Sequence, residues 1–179
     1  MTIKVGDPAP PVGAEAYVRG EADPVQVEIG RRGDSWTVLF FYPRDFTFVC
    51  PTELRGFAAL ETSFDLEDAR VVAASTDSWH VHRAWLETSP GLTGIDYPVI
   101  ADPTQVLTRL YGVLDEKDGS ALRATFIIDP EGIVRHASVT DPSIGRSPEE
   151  TLRILQALRT GGLCPVSWQP GDPTLPMAA

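Results

Sequence analysis

The chain has 179 residues, 42% of them apolar and 22% charged, which is enough for one well-buried domain and short for two. Fifteen basic against twenty-five acidic residues give a net charge of −10 with no basic cluster, which argues against nucleic acid and anionic membranes as partners. The longest apolar run, Trp36 to Tyr42, is interrupted by Thr37, and Met1 to Pro8 has no basic stretch leading into an apolar one, so no membrane span or secretory leader is expected and the cytoplasm is the expected location.

Residues 1 to 35 are rich in glycine and proline and contain one alternating run, Val25-Gln26-Val27-Glu28-Ile29, which predicts an edge hairpin and loops ahead of the core. Trp36 to Tyr42 reads as a strand buried on both faces. A turn follows, then Cys50 and Pro51. From Thr52 the pattern is helical, with Leu54, Phe57, Ala58, Leu60 and Phe64 on one face. Arg70 to Thr76 is a second buried strand, Asp77 or Ser78 caps a helix over Trp79 to Glu87, and Ser89 to Gly94 is a loop. Tyr97 to Ala101 is a third strand, Thr104 to Tyr111 a short helix, and Asp115 to Gly119 a turn. Arg123 to Ile128 and Ile133 to Val139 form a hairpin through Asp129-Pro130-Glu131-Gly132. Ser147-Pro148-Glu149-Glu150 is a capping box opening a helix over 147 to 159. Gly161 and Gly162 stop that helix, and residues 163–179 form an arm that must dock on something, leaving residues 1–162 as the folded domain. This order implies an α/β protein with a mixed central sheet and helices on both faces, and it fits a thioredoxin-like sandwich.

The chemistry centres on Cys50. A cysteine in the first turn of a helix sits where unpaired N–H groups and the positive end of the dipole converge, which favours thiolate. The effect is large in principle, since a thiol of pKa ~8.5 is about 3% ionised at neutral pH and one of ~6 is roughly 90% ionised. The other cysteine, Cys164, is also followed by proline, and in a reducing compartment such a pair is redox-active rather than a structural staple. The sequence contains no asparagine, which excludes a Cys-His-Asn protease triad. Thr47 and Glu53 stand three before and three after Cys50, so there is no Cys-x-x-Cys pair. His80, His82 and His136 lack zinc-ligand spacing with either cysteine, and no metal or cofactor is expected. His80 and His82 lie two apart on their helix and face different ways, while Trp79 and Trp85 read as core or interface aromatics.

Tyr42 to Glu53, with Pro43-x-x-x-Thr47-x-x-Cys50 inside it, closely resembles the active-site motif of the typical two-cysteine peroxiredoxins, the group that includes the bacterial alkyl hydroperoxide reductase C subunit. The resemblance continues through Ser75-Thr76-Asp77-Ser78, Tyr111 to Leu114, Arg123 to Asp129, Ile144 to Ser147 and Cys164-Pro165, in the family's order over nearly the whole chain. It implies a thiol-dependent peroxidase that reduces hydrogen peroxide and organic hydroperoxides. Cys50 matches the peroxidatic cysteine and Cys164 the resolving one, which implies a Cys50–Cys164 disulfide between neighbouring subunits. Thr47 would align the peroxide, Pro43 shield the thiolate, and Arg123 stabilise charge with Glu53 orienting it. Tyr42 and Arg146 occupy supporting positions. A thioredoxin-like or flavoprotein-linked dithiol reductant, a homodimer and a ring of dimers are the implied partners, and a peroxide-sensing relay or a holdase chaperone is the alternative role. The link Arg159 to Leu163 is shorter than the family's, Gly91 to Gly94 matches its glycine-rich loop only in part, and no Tyr-Phe pair follows Cys164, which implies resistance to overoxidation.

Overall fold

The run from Trp36 becomes an interior strand, β3 (Trp36–Phe41), of a seven-stranded sheet in the computed structural model, which describes residues 3–176. Its neighbours are β4 (Ala69–Ser75), parallel, and β8 (Arg123–Ile128), antiparallel. Side chains alternate along it as the pleat requires: Val38, Phe40 and Tyr42 enter one apolar cluster, Leu39 and Phe41 the other. Outward from β4 come β5 (Val99–Ala101), β1 (Val12–Tyr17) and β2 (Val25–Ile29), and β9 (Val134–Thr140) closes the other side beyond β8. The predicted edge hairpin is thus β1–β2, although β1 also pairs with β5 and only β2 is an edge.

Helices α1 (Cys50–Ala59), α2 (Glu61–Leu66), α3 (Trp79–Thr88) and α5 (Pro148–Arg159) contribute to the first cluster, and the short α4 (Val106–Leu110) to the second. The arrangement is the expected mixed α/β sandwich, with its helical cover concentrated on one face. Phe40 of β3 and Phe57 of α1 stack with ring centroids 4.2 Å apart, fixing the cysteine-bearing helix to the strand before it.

Several elements depart from expectation. The helix predicted from Thr52 is two helices, because the backbone leaves helical geometry at Leu60 (φ −108°, ψ 6°). In an unbroken helix Phe57 and Phe64 would stand ~10.5 Å apart along the axis; the break brings their rings to 6.0 Å. The third strand starts at Val99 rather than Tyr97, since Pro98 has no N–H for the ladder and only its carbonyl is used, by the Ala73 N–H at 3.0 Å. Helix α4 is shorter than 104–111 because Gln105 is left-handed (φ 60°) and the Asp102 carboxylate accepts the N–H groups of Leu107 and Thr108. The turn at 115–119 is flanked by a small hairpin of β6 (Leu114–Asp115) and β7 (Ser120–Ala121). At α5, Ser147 Oγ accepts the Glu150 N–H at 3.1 Å, one half of the capping box; the Glu150 carboxylate pairs with Arg153 at 2.6 Å instead of reaching back.

Beyond α5 the chain folds back on it. Leu175 N–H donates to the Leu163 carbonyl, Trp168 is buried, and Arg153 donates to the Trp168 carbonyl at 2.9 Å. Among the described residues no helix is long and apolar enough to cross a membrane.

Candidate active site

The end of β3, the loop over residues 43–49 and the first turn of α1 form one face of the site. Cys50 is the first residue of α1 and is fully buried, and no side chain caps the helix there. Because β8 runs antiparallel to β3, with Ala124 opposite Phe41, the first residue of β8 arrives where β3 ends. That residue is Arg123. Its Nη1 donates to Cys50 Sγ at 3.4 Å and to Glu53 Oε2 at 2.5 Å, and its Nε donates to the Pro142 carbonyl at 2.8 Å.

Glu53, one turn along α1 from Cys50, is shared with a second arginine. Arg146, just before α5, donates to Glu53 Oε1 from Nε at 2.8 Å and from its backbone N–H at 3.0 Å. Its Nη1 donates to the Ala124 carbonyl and to Thr125 Oγ1 and its Nη2 to the Phe41 carbonyl, and its carbon lies 5.3 Å from the Phe40 ring centroid. Arg146 is thus buried against α1, β3 and β8, in contact with Glu53, Phe40, Phe41, Ala124 and Thr125. The three side chains are 5%, 1% and 6% exposed for Arg123, Glu53 and Arg146, so two positive charges and one negative sit out of water together. One positive charge is thus in excess beside the sulfur, with the Arg123 guanidinium in contact with it.

Thr47 stands apart from this cluster. It is exposed, and its hydroxyl donates to the Arg44 carbonyl at 2.9 Å within its own loop, leaving its oxygen lone pairs open toward solvent. Pro43 is half-buried at the start of the loop. Tyr42 is fully buried, and its hydroxyl donates to Asp45 Oδ1 at 2.7 Å; that burial, and then Asp45, push the phenol well above its usual range.

Asp45 and His82 carry a part of the site that the motif reading left out. His82 Nδ1 lies 2.7 Å from Asp45 Oδ2, with both side chains fully buried. A signal was present: His82 falls three after Trp79 and three before Trp85, so it shares their buried face, whereas His80 is exposed.

Cys164 lies elsewhere, at the C-terminal end of α5. Its thiol is half-buried, 3.6 Å from the Ala157 carbonyl and 3.5 Å from Thr160 Oγ1, and it lines a cleft with Arg153, Ile154, Ala157 and Val166. Both cysteines are free. Among the described residues no group of three or more His, Cys, Asp or Glu side chains is placed to hold a metal.

A mixed α/β sandwich with a buried cysteine at a helix N-terminus, held by an arginine, defines a thiol-based redox enzyme. The comparisons with known proteins give the family. Residues 5–137 match the AhpC/TSA family. The chain is 48% identical over 175 residues to YkuU of Bacillus subtilis, which bears a peroxiredoxin name, covering 96% of this chain and 97% of that one. The reduced 2-Cys peroxiredoxin of Plasmodium vivax superposes with a TM-score of 0.88 at 35% identity over 95% of this chain and 91% of its own, and AhpC of Enterococcus faecalis with 0.85 at 36% identity over 98% and 100%. The chain belongs to the AhpC/TSA family of peroxiredoxins, and it is a thiol-dependent peroxidase.

Proposed function

We propose that Cys50 is the peroxidatic nucleophile and Cys164 the thiol that resolves it. The observation that carries this reading is the hydrogen bond from Arg123 to the buried Cys50 sulfur, with Glu53 fixing the guanidinium. The Cys50 thiolate attacks the terminal oxygen of a hydroperoxide, an S–O bond forms as the O–O bond breaks, and the leaving alkoxide or hydroxide takes up a proton as alcohol or water. Arg123, already oriented, stabilises the negative charge moving onto the leaving oxygen, with Arg146 holding Glu53 from the other side. Thr47 accepts from the peroxide through the lone pairs it turns to solvent, Pro43 shields the thiolate from water, and Tyr42 supports the loop from beneath.

The product is a sulfenic acid. Cys164 displaces its hydroxyl as water to give a Cys50–Cys164 disulfide, and a dithiol reductant, thioredoxin-like or flavoprotein-linked, takes the oxidising equivalent away. The disulfide joins two subunits of a homodimer, which assembles into a ring of dimers in the cytoplasm. The exposed Val139 on the outer strand β9, with Phe48 and Val166, supports an association of copies. Residues 163–179 act as the arm that delivers Cys164.

The test is peroxide consumption by the wild type, Cys50→Ser and Cys164→Ser, with a non-reducing gel after one equivalent of peroxide. Cys50→Ser abolishes consumption; Cys164→Ser reacts once, fails to turn over with a dithiol, and loses the disulfide-linked dimer band. Full activity in Cys50→Ser would sink the assignment.

A further inference from the structure

Between Tyr42 and Cys50 the buried side-chain hydrogen bonds fall on a single residue, while Arg44 at the surface donates to the Asp118 carbonyl at 2.6 Å. Asp45 Oδ1 accepts the Tyr42 hydroxyl at 2.7 Å, Oδ2 pairs with His82 Nδ1 at 2.7 Å, and the Asp45 N–H donates to Asp77 Oδ2 at 2.9 Å. Asp77 is itself held by Ser75, whose hydroxyl donates to the same Oδ2 at 2.8 Å. On the far side of the ring, His82 Nε2 lies 3.1 Å from the Ile100 carbonyl. A carbonyl only accepts, so Nε2 carries a hydrogen, and the Asp45–Nδ1 contact holds a further proton between two buried groups. The loop is thereby tied to β4, β5 and α3 through groups that water cannot replace if they part.

Past Asp45 the buried polar contacts end, and Phe46 keeps its ring 6.0 Å from that of Trp85. Phe46 is left-handed (φ 54°), a conformation that costs a bulky residue about 1–3 kcal/mol, and it is exposed together with Thr47 and Phe48. Helix α1 then begins without a side-chain cap. The chemistry described above uses neither Asp45 nor His82, and neither is hydrogen-bonded to Cys50, Arg123 or Glu53.

We propose that the Asp45–His82 pair is a latch that keeps the Cys50 loop folded, making both positioning residues for the competition between disulfide formation and further oxidation of Cys50. The proposal rests on the roles assigned to Cys50 and Cys164. The Cys50 sulfur is buried, so it meets no second sulfur until the loop and the first turn of α1 open. While they stay folded, the sulfenic acid remains beside Arg123. A second hydroperoxide arriving there transfers its terminal oxygen to the sulfenic sulfur, giving sulfinic acid and releasing alcohol or water. Opening instead lets the Cys164 thiol displace the sulfenic hydroxyl as water. The latch sets which step comes first.

The experiment compares the wild type with Asp45→Asn and His82→Gln, and with Tyr42→Phe, which deletes one donor to Asp45 and keeps the ring. Each full-length reduced protein is mixed with hydrogen peroxide, disulfide formation is followed by stopped flow, and the sulfinic fraction is read by intact mass over graded peroxide with a dithiol present. Asp45→Asn and His82→Gln are expected to form the disulfide about five- to thirtyfold faster and to lower the sulfinic fraction at matched peroxide, with Tyr42→Phe shifted less in the same direction. A merely structural role would lower the melting temperature and leave this partition unchanged. Folded variants with wild-type disulfide rates and sulfinic fractions overturn the latch, and Tyr42→Phe decides alone if the other two do not fold. Peroxide turnover by Cys50→Ser would overturn the reading of the site, and the latch with it.

Discussion

At the scale of single residues, the site is a problem in charge balance. Two buried arginines share one carboxylate, which leaves one positive charge in excess beside the sulfur of Cys50. Arg123 contributes through a fork that touches three different acceptors, so its geometry matters as much as its charge. Arg123→Met is therefore expected to lower kcat/KM for hydrogen peroxide by roughly 10²–10³-fold, the usual loss when an oriented donor to developing charge is removed. Arg123→Lys should recover only part of this, since an ammonium cannot reach Cys50, Glu53 and Pro142 together; steady-state kinetics on the two variants decide between charge and fork. Cys50 and Glu53 were legible in the sequence because the motif around them is dense, and Arg123 because its own segment, Arg123 to Asp129, resembles the family's. The pairing of Asp45 with His82 was not, although the spacing of His82 with Trp79 and Trp85 marks it as buried, because the two are 37 positions apart and only the folded sheet and α3 bring them together.

At the scale of elements, the site depends on how closely α1 approaches α5. Gly56, on α1, faces Pro148 at the start of α5, and a Cβ there would lie 2.8 Å from the proline ring. The contact fixes α1, with Cys50 and Glu53, against the segment that carries Arg146. Gly56→Val should cost about 1–3 kcal/mol by overpacking, more than the small gain in helix propensity returns, and the denaturant midpoint measures it. Strands and long amphipathic helices were readable from periodicity, as β3, α3 and α5 illustrate. Breaks were not. The kink at Leu60 and the late start of β5 come from the Phe57–Phe64 contact and from Pro98 in a ladder, and neither alters the apolar pattern along the chain.

For the whole molecule, one group on the outer strand ties stability to pH. Burial holds His136 of β9 below its ordinary value, with Glu150 opposing weakly. In this window the unfolded chain, with an ordinary value near ~6.5, binds more protons than the native state, so stability is fully present above that pH and is lost as pH falls below it. His136→Gln should flatten the dependence of the melting temperature on pH between about 7 and 5. Carboxylates held low by local hydrogen bonds, such as Asp118 and Glu149, act only in more acidic solution. The sequence predicted a segment after α5 that docks, but not its seat, because one tryptophan and a backbone carbonyl carry no periodicity. That seat has an optical consequence. Trp168 is only 4% exposed, with its indole N–H on the Asp172 carbonyl at 3.0 Å and its own carbonyl on Arg153, four residues from Cys164. Any movement that carries Cys164 to a second sulfur pulls this indole into water, so each catalytic cycle should appear as a transient red shift in tryptophan emission, absent in Trp168→Phe, and the protein reports its own redox state without a label.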